Sequence, residues 1–533
     1  MRANSVIRSL EIAPSDRKYA DAGPVPIRVR GAGRAGFTPL RVTTFAVPWG
    51  SPRVIRLFAA VLAAWFPLSA LAAEKPNVLF LFADDMTWKA VRSLGGEDIE
   101  TPNLDRLAAR GTTFTHAYNP GGWHGAICVA SRTMLMTGRP LWQARSAEPR
   151  LNADFVEKGL MWPQLMAAQG YRTCFAGKWH IQANHEKVFQ QIRHFREGGM
   201  PPDGREAYFR PGEGRPDPWS ASDPSRGGFW QGGTHWSEVM AADFPAFLAG
   251  GDPRPWFMYL AFNAPHDPRQ SPQEFLDRYP LPRVKVPANF LPLYPHRAAM
   301  GADKGQRDEN LAPFPRTPFA VQTHRREYYA AITHLDVQIG RILDELGKSP
   351  AAENTYIFFT ADHGLSCGEH GLMGKQNLYD ASVRVPFIVA GPGVPQGKRI
   401  EAPVYLQDAM PTTIGLAGGT VPGEVGFKDL RPLWEGKGEP RDAVIGAFRD
   451  LQRMIEKDGK KLILYPQAKV ARLFDLRADP GESRDLMETE AGRSLAVPLF
   501  HRLLEIQQES GDPLDLRPAF PALAAGAGDG KSR

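Results

Sequence analysis

Four pairs of polar residues stand at the ends of apolar runs, and each pair is of a type that binds ions or moves protons. Asp84 and Asp85 close PNVLFLFADD (76–85), and Lys178 and His180 close YRTCFAGKWH (171–180). His266 and Asp267 lie at the end of PWFMYLAFNAPHDP (255–268), and Asp362 and His363 at the end of NTYIFFTADHG (354–364). Any one pair reads equally well as a strand end facing water. Four such pairs are harder to explain by solvation, because ligands of open α/β sheets bind at the carboxyl ends of the strands. Three carboxylates drawn to one point repel unless a cation lies among them. An oxygen-rich shell of this kind suits Ca²⁺ or Mg²⁺ rather than zinc, and His363 would add one nitrogen. Imidazoles that titrate near neutrality supply proton transfer.

A fifth group is CVASRTMLMTGR (128–139). If a helix begins at Cys128, Arg132 falls one turn later on the same face. A nucleophile at a helix N-terminus beside an arginine is well placed to hold a tetrahedral anion.

The elements that must position these groups alternate between strand and helix. Apolar runs at 76–85, 171–180, 255–268, 354–364 and 384–393 read as strands. TPNLDRLAARG (101–111) reads as a helix with Thr101 as cap and Gly111 as stop. Helical patterns also cover 159–170, closed by Gly170, and 324–347. Buried strands separated by helices predict an α/β fold with a large, mostly parallel sheet covered on both faces. Segments 196–235 and 280–318, rich in Pro, Gly, Arg and Asp, read as long ordered loops over the sheet edge. After Arg441 the runs become short and alternating, and Asp458-Gly459 is a hairpin signal. A small C-terminal antiparallel α+β subdomain is expected over 438–515, with a helix at 488–509. The catalytic α/β domain is expected over 74–437, and a flexible tail over 516–533.

Taken together, CVASRTMLMTGR, GKWH (177–180), NAPHDP (263–268), TADHG (360–364), GEHGLMGK (368–375), SVRVPFIVAGPG (382–393) and FDLRADPGESRDL (474–486) resemble the sulfatases of the alkaline phosphatase superfamily. The resemblance runs over roughly 75–490. It departs at Ala130, where the commonest form of the motif has Pro. It implies a sulfuric ester hydrolase with an alkaline-phosphatase-like sheet. It implies that a maturation enzyme oxidises Cys128 to formylglycine (3-oxoalanine), whose hydrate attacks sulfur and then expels sulfate. Asp84, Asp85, Asp362 and His363 would hold one divalent cation, Ca²⁺ before Mg²⁺, with residue 128 completing the shell. Arg132 would steady the nucleophile, and Lys178 and Lys375 would bind sulfate oxygens. His180 would be the base for elimination and His266 the proton donor to the leaving oxygen. The implied substrate is a sulfated carbohydrate or small organic sulfate.

The other candidates carry blander readings. Cys174 and Cys367 fit buried small hydrophobes, and His334 and Asp336 fit surface or capping roles on their helix. His124 and His370 stand close enough in sequence to the motifs to reach a substrate, or else are structural.

The chain has 533 residues, 43% hydrophobic and 23% charged, which excludes a disordered or repeat-only chain. Three cysteines exclude a disulfide scaffold. The net charge of +6 arises in residues 1–56, where ten basic residues face three acidic ones. That removes the global-charge argument for nucleic-acid binding. Arg53 and Arg56 precede LFAAVLAAWFPLSAL (57–71), and Ala70-Leu71-Ala72 has the small-x-small pattern of a cleavage site. Residues 1–73 thus read as a leader, a signal peptide preceded by a start set too early, and the mature chain as periplasmic or secreted without a membrane span. Two alternatives are a phosphonate monoester or phosphodiester hydrolase of the same superfamily, and an unmatured Ca²⁺-dependent protein that binds sulfated glycans without turnover.

Overall fold

The runs that read as strands are buried from end to end. NVLFLFA (Asn77–Ala83), RTCFAGK (Arg172–Lys178) and WFMYLA (Trp256–Ala261) are wholly buried, the mark of strands covered on both faces. The computed structural model describes residues 74–526, apart from Glu97, Met200, Pro201, Glu213, Gly250, Asp303 and Lys304. The leader expected over 1–73 lies outside the described residues. Among the described residues no helix is long and apolar enough to cross a membrane.

In chain order the first strands are β1 (Asn77–Ala83), β2 (Thr112–Phe114), β3 (Ala117–Tyr118), β4 (Gly121–Gly122), β5 (Arg172–Lys178) and β6 (Gln191–Arg196). There follow β7 (Trp230–Gln231), β8 (Thr234–His235), β9 (Trp256–Ala261), β10 (Thr355–Ala361), β11 (Arg384–Val385) and β12 (Phe387–Ala390). The last are β13 (Lys398–Ile400), β14 (Val404–Tyr405), β15 (Val444–Phe448), β16 (Gln452–Lys457), β17 (Lys460–Tyr465) and β18 (Val470–Asp475). The main sheet has eight strands in the order β13-β2-β12-β10-β1-β9-β5-β6. From β10 to β6 all pairings are parallel, while β12 runs antiparallel to both β10 and β2. The fold is therefore α/β with a large mixed sheet flanked by helices. Asp84-Asp85, Lys178, the loop after Ala261 and Asp362-His363 fall at the carboxyl edge of four neighbouring parallel strands, β1, β5, β9 and β10.

The long helix runs Pro318–Lys348, starting earlier than the apolar pattern indicates. Its start is set by Thr317, whose side chain accepts from the Ala320 N–H, and by Pro318 in the first turn. Asp336 on this helix is buried and accepts from the N–H groups of Asn103 and Leu104. It therefore caps the helix Pro102–Arg110. Thr101 does not, because its hydroxyl accepts from the Arg92 N–H instead. His334 is likewise buried and lies 2.9 Å from Glu238.

A second sheet has the order β18-β17-β16-β15-β4, antiparallel from β15 to β18. Asp458 and Gly459 take φ of 54° and 77° between β16 and β17, the left-handed pair that a tight hairpin turn needs. The helix Glu490–Ser510 packs on this sheet through Ala496, Leu499, Phe500 and Leu503. β15 also pairs in parallel with β4, Ala447 opposite Gly121 and Phe448 opposite Gly122. That ladder ties the second sheet to the segment just before Cys128. The described residues from 74 to 526 belong to one compact unit. Part of the expected tail is packed rather than loose: Leu516, Phe520 and Leu523 are buried against the Glu490–Ser510 helix. Residues 527–533 lie outside the described residues.

Candidate active site

Cys128 stands in the first turn of the helix Ile127–Thr137, with Ala126 as N-cap and Gly138 ending it in the left-handed conformation. Every residue of this helix is buried, so it is held by packing on all sides. The Cys128 sulfur lies 3.3 Å from His363 Nε2 and 3.3 Å from Lys375 Nζ, and His180 stands beside it in the cavity lining. Lys375 also donates to both Asp85 oxygens, at 2.9 and 3.0 Å. Lys178 donates to Asp84. Arg132 donates through Nε to Asp362 at 3.0 Å and through Nη1 to the Lys178 carbonyl at 2.7 Å. Asp362 Oδ1 accepts from the N–H groups of Asp85 and His363. The pairs predicted from strand ends thus meet around Cys128.

Ligand-type atoms of Asp84, Asp85, Cys128 and His363 all lie within 4.8 Å of one another. Asp362 flanks this quartet, its Oδ1 3.6 Å from His363 Nε2. Among the described residues Asp84 Oδ1 is buried without a hydrogen-bond partner, Arg132 Nη2 being 3.9 Å away, and burial together with Asp362 raises the Asp84 carboxyl above the usual range. An unpartnered buried carboxylate oxygen beside two more carboxylates and an imidazole fits a hard divalent cation. Two of the strand-end residues, Asp85 and His180, take left-handed backbone with φ of 65° and 55°. Such conformations cost energy and persist where the surrounding structure fixes them.

The electrostatics of Cys128 are unusual. Burial alone would raise its thiol, but Lys178, Lys375 and His363 outweigh burial and hold it well below the normal range. Burial opposes the charge on His363, yet Asp362 and Asp85 carry it up to about 9. His180 goes the other way: burial and then Lys178 press it down to about 4.

His266 stands further out, 3.7 Å from Asp85 Oδ2. Burial works against its charge, but Asp85 and Asp267 raise it above its ordinary value. Asp267 accepts from the Tyr208 hydroxyl and, at 3.4 Å, from Arg307. Arg307 also donates to Asp308. Cys128, His180, His266 and Lys375 share a cavity of about 290 Å³ with Gln306, Arg307, Asp308, Gln376 and Arg449. Asp84, Asp85, Arg132, Lys178, Asp362 and His363 lie behind the cavity lining.

Sequence reasoning missed Gln306, Arg307, Asp308, Gln376 and Arg449. The first three lie in the irregular segment 280–318, whose only signal was composition. Arg449 comes from the second sheet, and no local pattern ties it to the main one. His124 and His370 do not line the cavity. His124 accepts from the Ala126 N–H and lies 3.6 Å from Glu148. His370 stacks on Tyr379 with centroids 3.9 Å apart, and burial presses its pKa to about 3. All three cysteines are free and buried.

A protein-family model described as Sulfatase matches residues 76–419, and the C-terminal model of N-sulphoglucosamine sulphohydrolase matches 368–509. A sulfatase of Formosa agariphila is 29% identical over 439 residues, 77% of this chain and 82% of that protein. Among solved structures, a complex with its substrate D-glucosamine-2-N,6-O-disulfate superposes with a TM-score of 0.64 at 22% identity, covering 83% of this chain and 99% of that one. The phosphonate monoester hydrolase of Agrobacterium radiobacter superposes with a TM-score of 0.65 at 20% identity, covering 82% and 96%. At those identities the two structures speak for the fold alone. The family model spans well over half of the chain and takes in the carboxylates, histidines and lysines gathered around Cys128, so this chain belongs to the sulfatase family of the alkaline phosphatase superfamily and is a sulfuric ester hydrolase.

Proposed function

We propose that the protein hydrolyses a sulfate ester of a sulfated carbohydrate, with residue 128 matured to formylglycine and one divalent cation, Ca²⁺ in preference to Mg²⁺. The observation that carries this reading is the Cys128 sulfur held between Lys375, His363 and His180 beside three carboxylates. Asp84, Asp85, Asp362, His363 and residue 128 would hold the ion. When bound, the ion supplies Lewis acidity and orients the sulfate, and the matured side chain supplies a nucleophile that can release sulfate again.

The remaining steps belong to the chain's own side chains. Lys375 lines the cavity with its ammonium 3.3 Å from the residue-128 sulfur, so it binds the sulfate oxygens directly. Lys178 acts one step back, neutralising Asp84. Arg132 holds Asp362 in place. His180 is kept neutral at the sulfur atom and so can take a proton there. His266 lines the cavity with its pKa raised and is suited to donate a proton to the leaving oxygen. Among the described residues the buried amide oxygens of Gln306 and Gln376 have no hydrogen-bond partner, and they can accept from sugar hydroxyls. Relatives named N-acetylglucosamine-6-O-sulfatase and N-acetylgalactosamine-6-sulfatase support the carbohydrate reading.

The same reading includes a maturation enzyme that recognises 128–139, export to the periplasm or beyond, and a catalytic domain over 74–437 with a small subdomain over 438–515. The likeness in shape to a phosphonate monoester hydrolase supports a second reading, in which phosphonate or phosphate diesters are the substrate. The test is mass spectrometry of the Cys128 peptide from native-host protein, joined to turnover of 4-nitrophenyl sulfate and of 4-nitrophenyl phenylphosphonate. An aldehyde mass with preference for the sulfate is expected. An unmodified thiol in active protein overturns the mechanism, and preference for the phosphonate overturns the substrate class.

A further inference from the structure

Most of the charge around the cavity is already matched within the protein. Lys375 is held by Asp85, and Arg307 by Asp267 and Asp308. Arg449 differs: among the described residues its guanidinium makes no ion pair, and it lies 5.4 Å from the centroid of the Phe448 ring. It is exposed, yet it lines the same cavity as Cys128.

Its position there is built rather than incidental. Arg449 follows β15 directly, and its N–H donates to the Gly122 carbonyl at 3.0 Å, extending the β15–β4 ladder. Its backbone is left-handed, with φ of 48°. Glycine or asparagine would relieve that conformation, so an arginine at this turn is set against backbone preference. Gly125, between β4 and the Cys128 helix, leaves the space the guanidinium uses. A Cβ on Gly125 would sit 3.3 Å from Arg449 Nη2. The backbone thus carries the guanidinium to a place over the turn that leads into residue 128. Beside it, Gln376 is oriented by donating to the Gly125 carbonyl at 3.0 Å and to Asp308 at 2.7 Å, which leaves its Oε1 buried and unpartnered.

We infer that Arg449 is a specificity residue that binds a second anionic group on the sugar, a carboxylate or a further sulfate, while the ester to be cleaved sits at residue 128. The inference rests on the sulfated-carbohydrate reading and names its substrate class: a sugar carrying two anions. A guanidinium free of internal partners offers a planar fork of donors, the geometry that carboxylate and sulfate oxygens match. The cavity is small for a ligand pocket. It has room for little more than one sugar ring, so the two anions lie on the same ring or on adjacent ones.

The test is calorimetric and does not need turnover. Cys128→Ala protein with Ca²⁺ is titrated with two pairs of probes. The first pair is glucosamine-2-N,6-O-disulfate against N-acetylglucosamine 6-sulfate. The second is a sulfated hexosamine linked to glucuronic acid against the same disaccharide after carboxyl reduction. For at least one pair the di-anionic probe is expected to bind about tenfold more tightly. That ratio is expected to fall to near one in Cys128→Ala/Arg449→Gln and to be largely kept in Cys128→Ala/Arg449→Lys. Whichever pair responds tells sulfate from carboxylate. A ratio unchanged by Arg449→Gln in both pairs, or no measurable binding of either di-anionic probe, overturns the inference. The sulfatase reading is decided separately, by the mass of residue 128 and by ester turnover.

Discussion

Lys375 stands between a carboxylate and the residue that is to attack, bound to both Asp85 oxygens and 3.3 Å from the Cys128 sulfur. Removing a preorganised cation from such a site costs far more in rate than in fold, because its charge counts only where charge develops. Lys375→Met is expected to lower kcat/KM for 4-nitrophenyl sulfate by about 10²-fold or more. Circular dichroism of the variant should stay native. Arg132 is the opposite case. It is wholly buried, bridges Asp362 and the Lys178 carbonyl, and lies over the Phe82 ring. A lysine there can satisfy one of those contacts but not both, so Arg132→Lys is expected to cost about 3 kcal/mol in urea unfolding. Residues of both kinds were legible in the sequence where they closed an apolar run or lay one helical turn from Cys128. Arg307, Asp308 and Gln376 were not legible as site residues, because a position in an irregular loop says nothing about which edge the loop crosses.

At the scale of the element, two junctions decide where the chemistry stands. The first is the start of the helix Pro102–Arg110, where Asp336 from the long helix does what Thr101 was expected to do. Asp336→Ala is expected to cost about 1–2 kcal/mol, the loss of a capping acceptor, read by urea unfolding. Thr101→Ala is expected to cost less. The second junction is β4. Gly121 has φ of 95°, and a Cβ there would lie 2.0 Å from the Ala447 carbonyl oxygen. Gly121→Ala is expected to loosen the β15–β4 ladder and to lower both the unfolding midpoint and catalytic turnover. The long strands and helices were legible because burial on both faces leaves an unbroken apolar run. β4 was not: a strand of two glycines has no side-chain pattern, and its partner is distant in sequence.

For the molecule as a whole, charge is buried on a large scale and its balance depends on the solution. If the carboxylate cluster holds a cation, Ca²⁺ stabilises the folded state alone, by about 2.7 kcal/mol at a hundred times its Kd. Thermal unfolding should therefore move up with Ca²⁺ and down with a chelator, and Asp84→Asn should abolish the difference. pH acts through a buried histidine held neutral outside the cavity lining. His324 is fully buried among Arg210, Arg269 and Arg316, and lies 2.8 and 3.1 Å from the Arg210 and Leu311 carbonyls. Burial first, then Arg210, keeps its pKa well below the 6.5 it has when unfolded. Below pH 6.5 the unfolded chain binds a proton that the folded chain does not, so stability falls as pH drops through that range. The slope is up to about 1.4 kcal/mol per pH unit for this one group. His324→Gln can still donate to both carbonyls and is expected to flatten the slope, measured by urea unfolding between pH 7.5 and 5. The α/β class was legible from the alternation of runs. The joining of the second sheet to the first was not, because a parallel pairing of distant segments leaves no mark in either one.

That joining also sets an order in time. Gly121 and Gly122 are synthesised long before Ala447 and Phe448, their partners across the ladder. Until β15 and the Arg449 that follows it have been made, the segment around residue 128 lacks one of its walls. In the finished molecule Cys128 is 1% exposed and out of reach of any other protein. An enzyme that alters its thiol must therefore act on a chain that has not yet closed, and the last strands to be made end its opportunity.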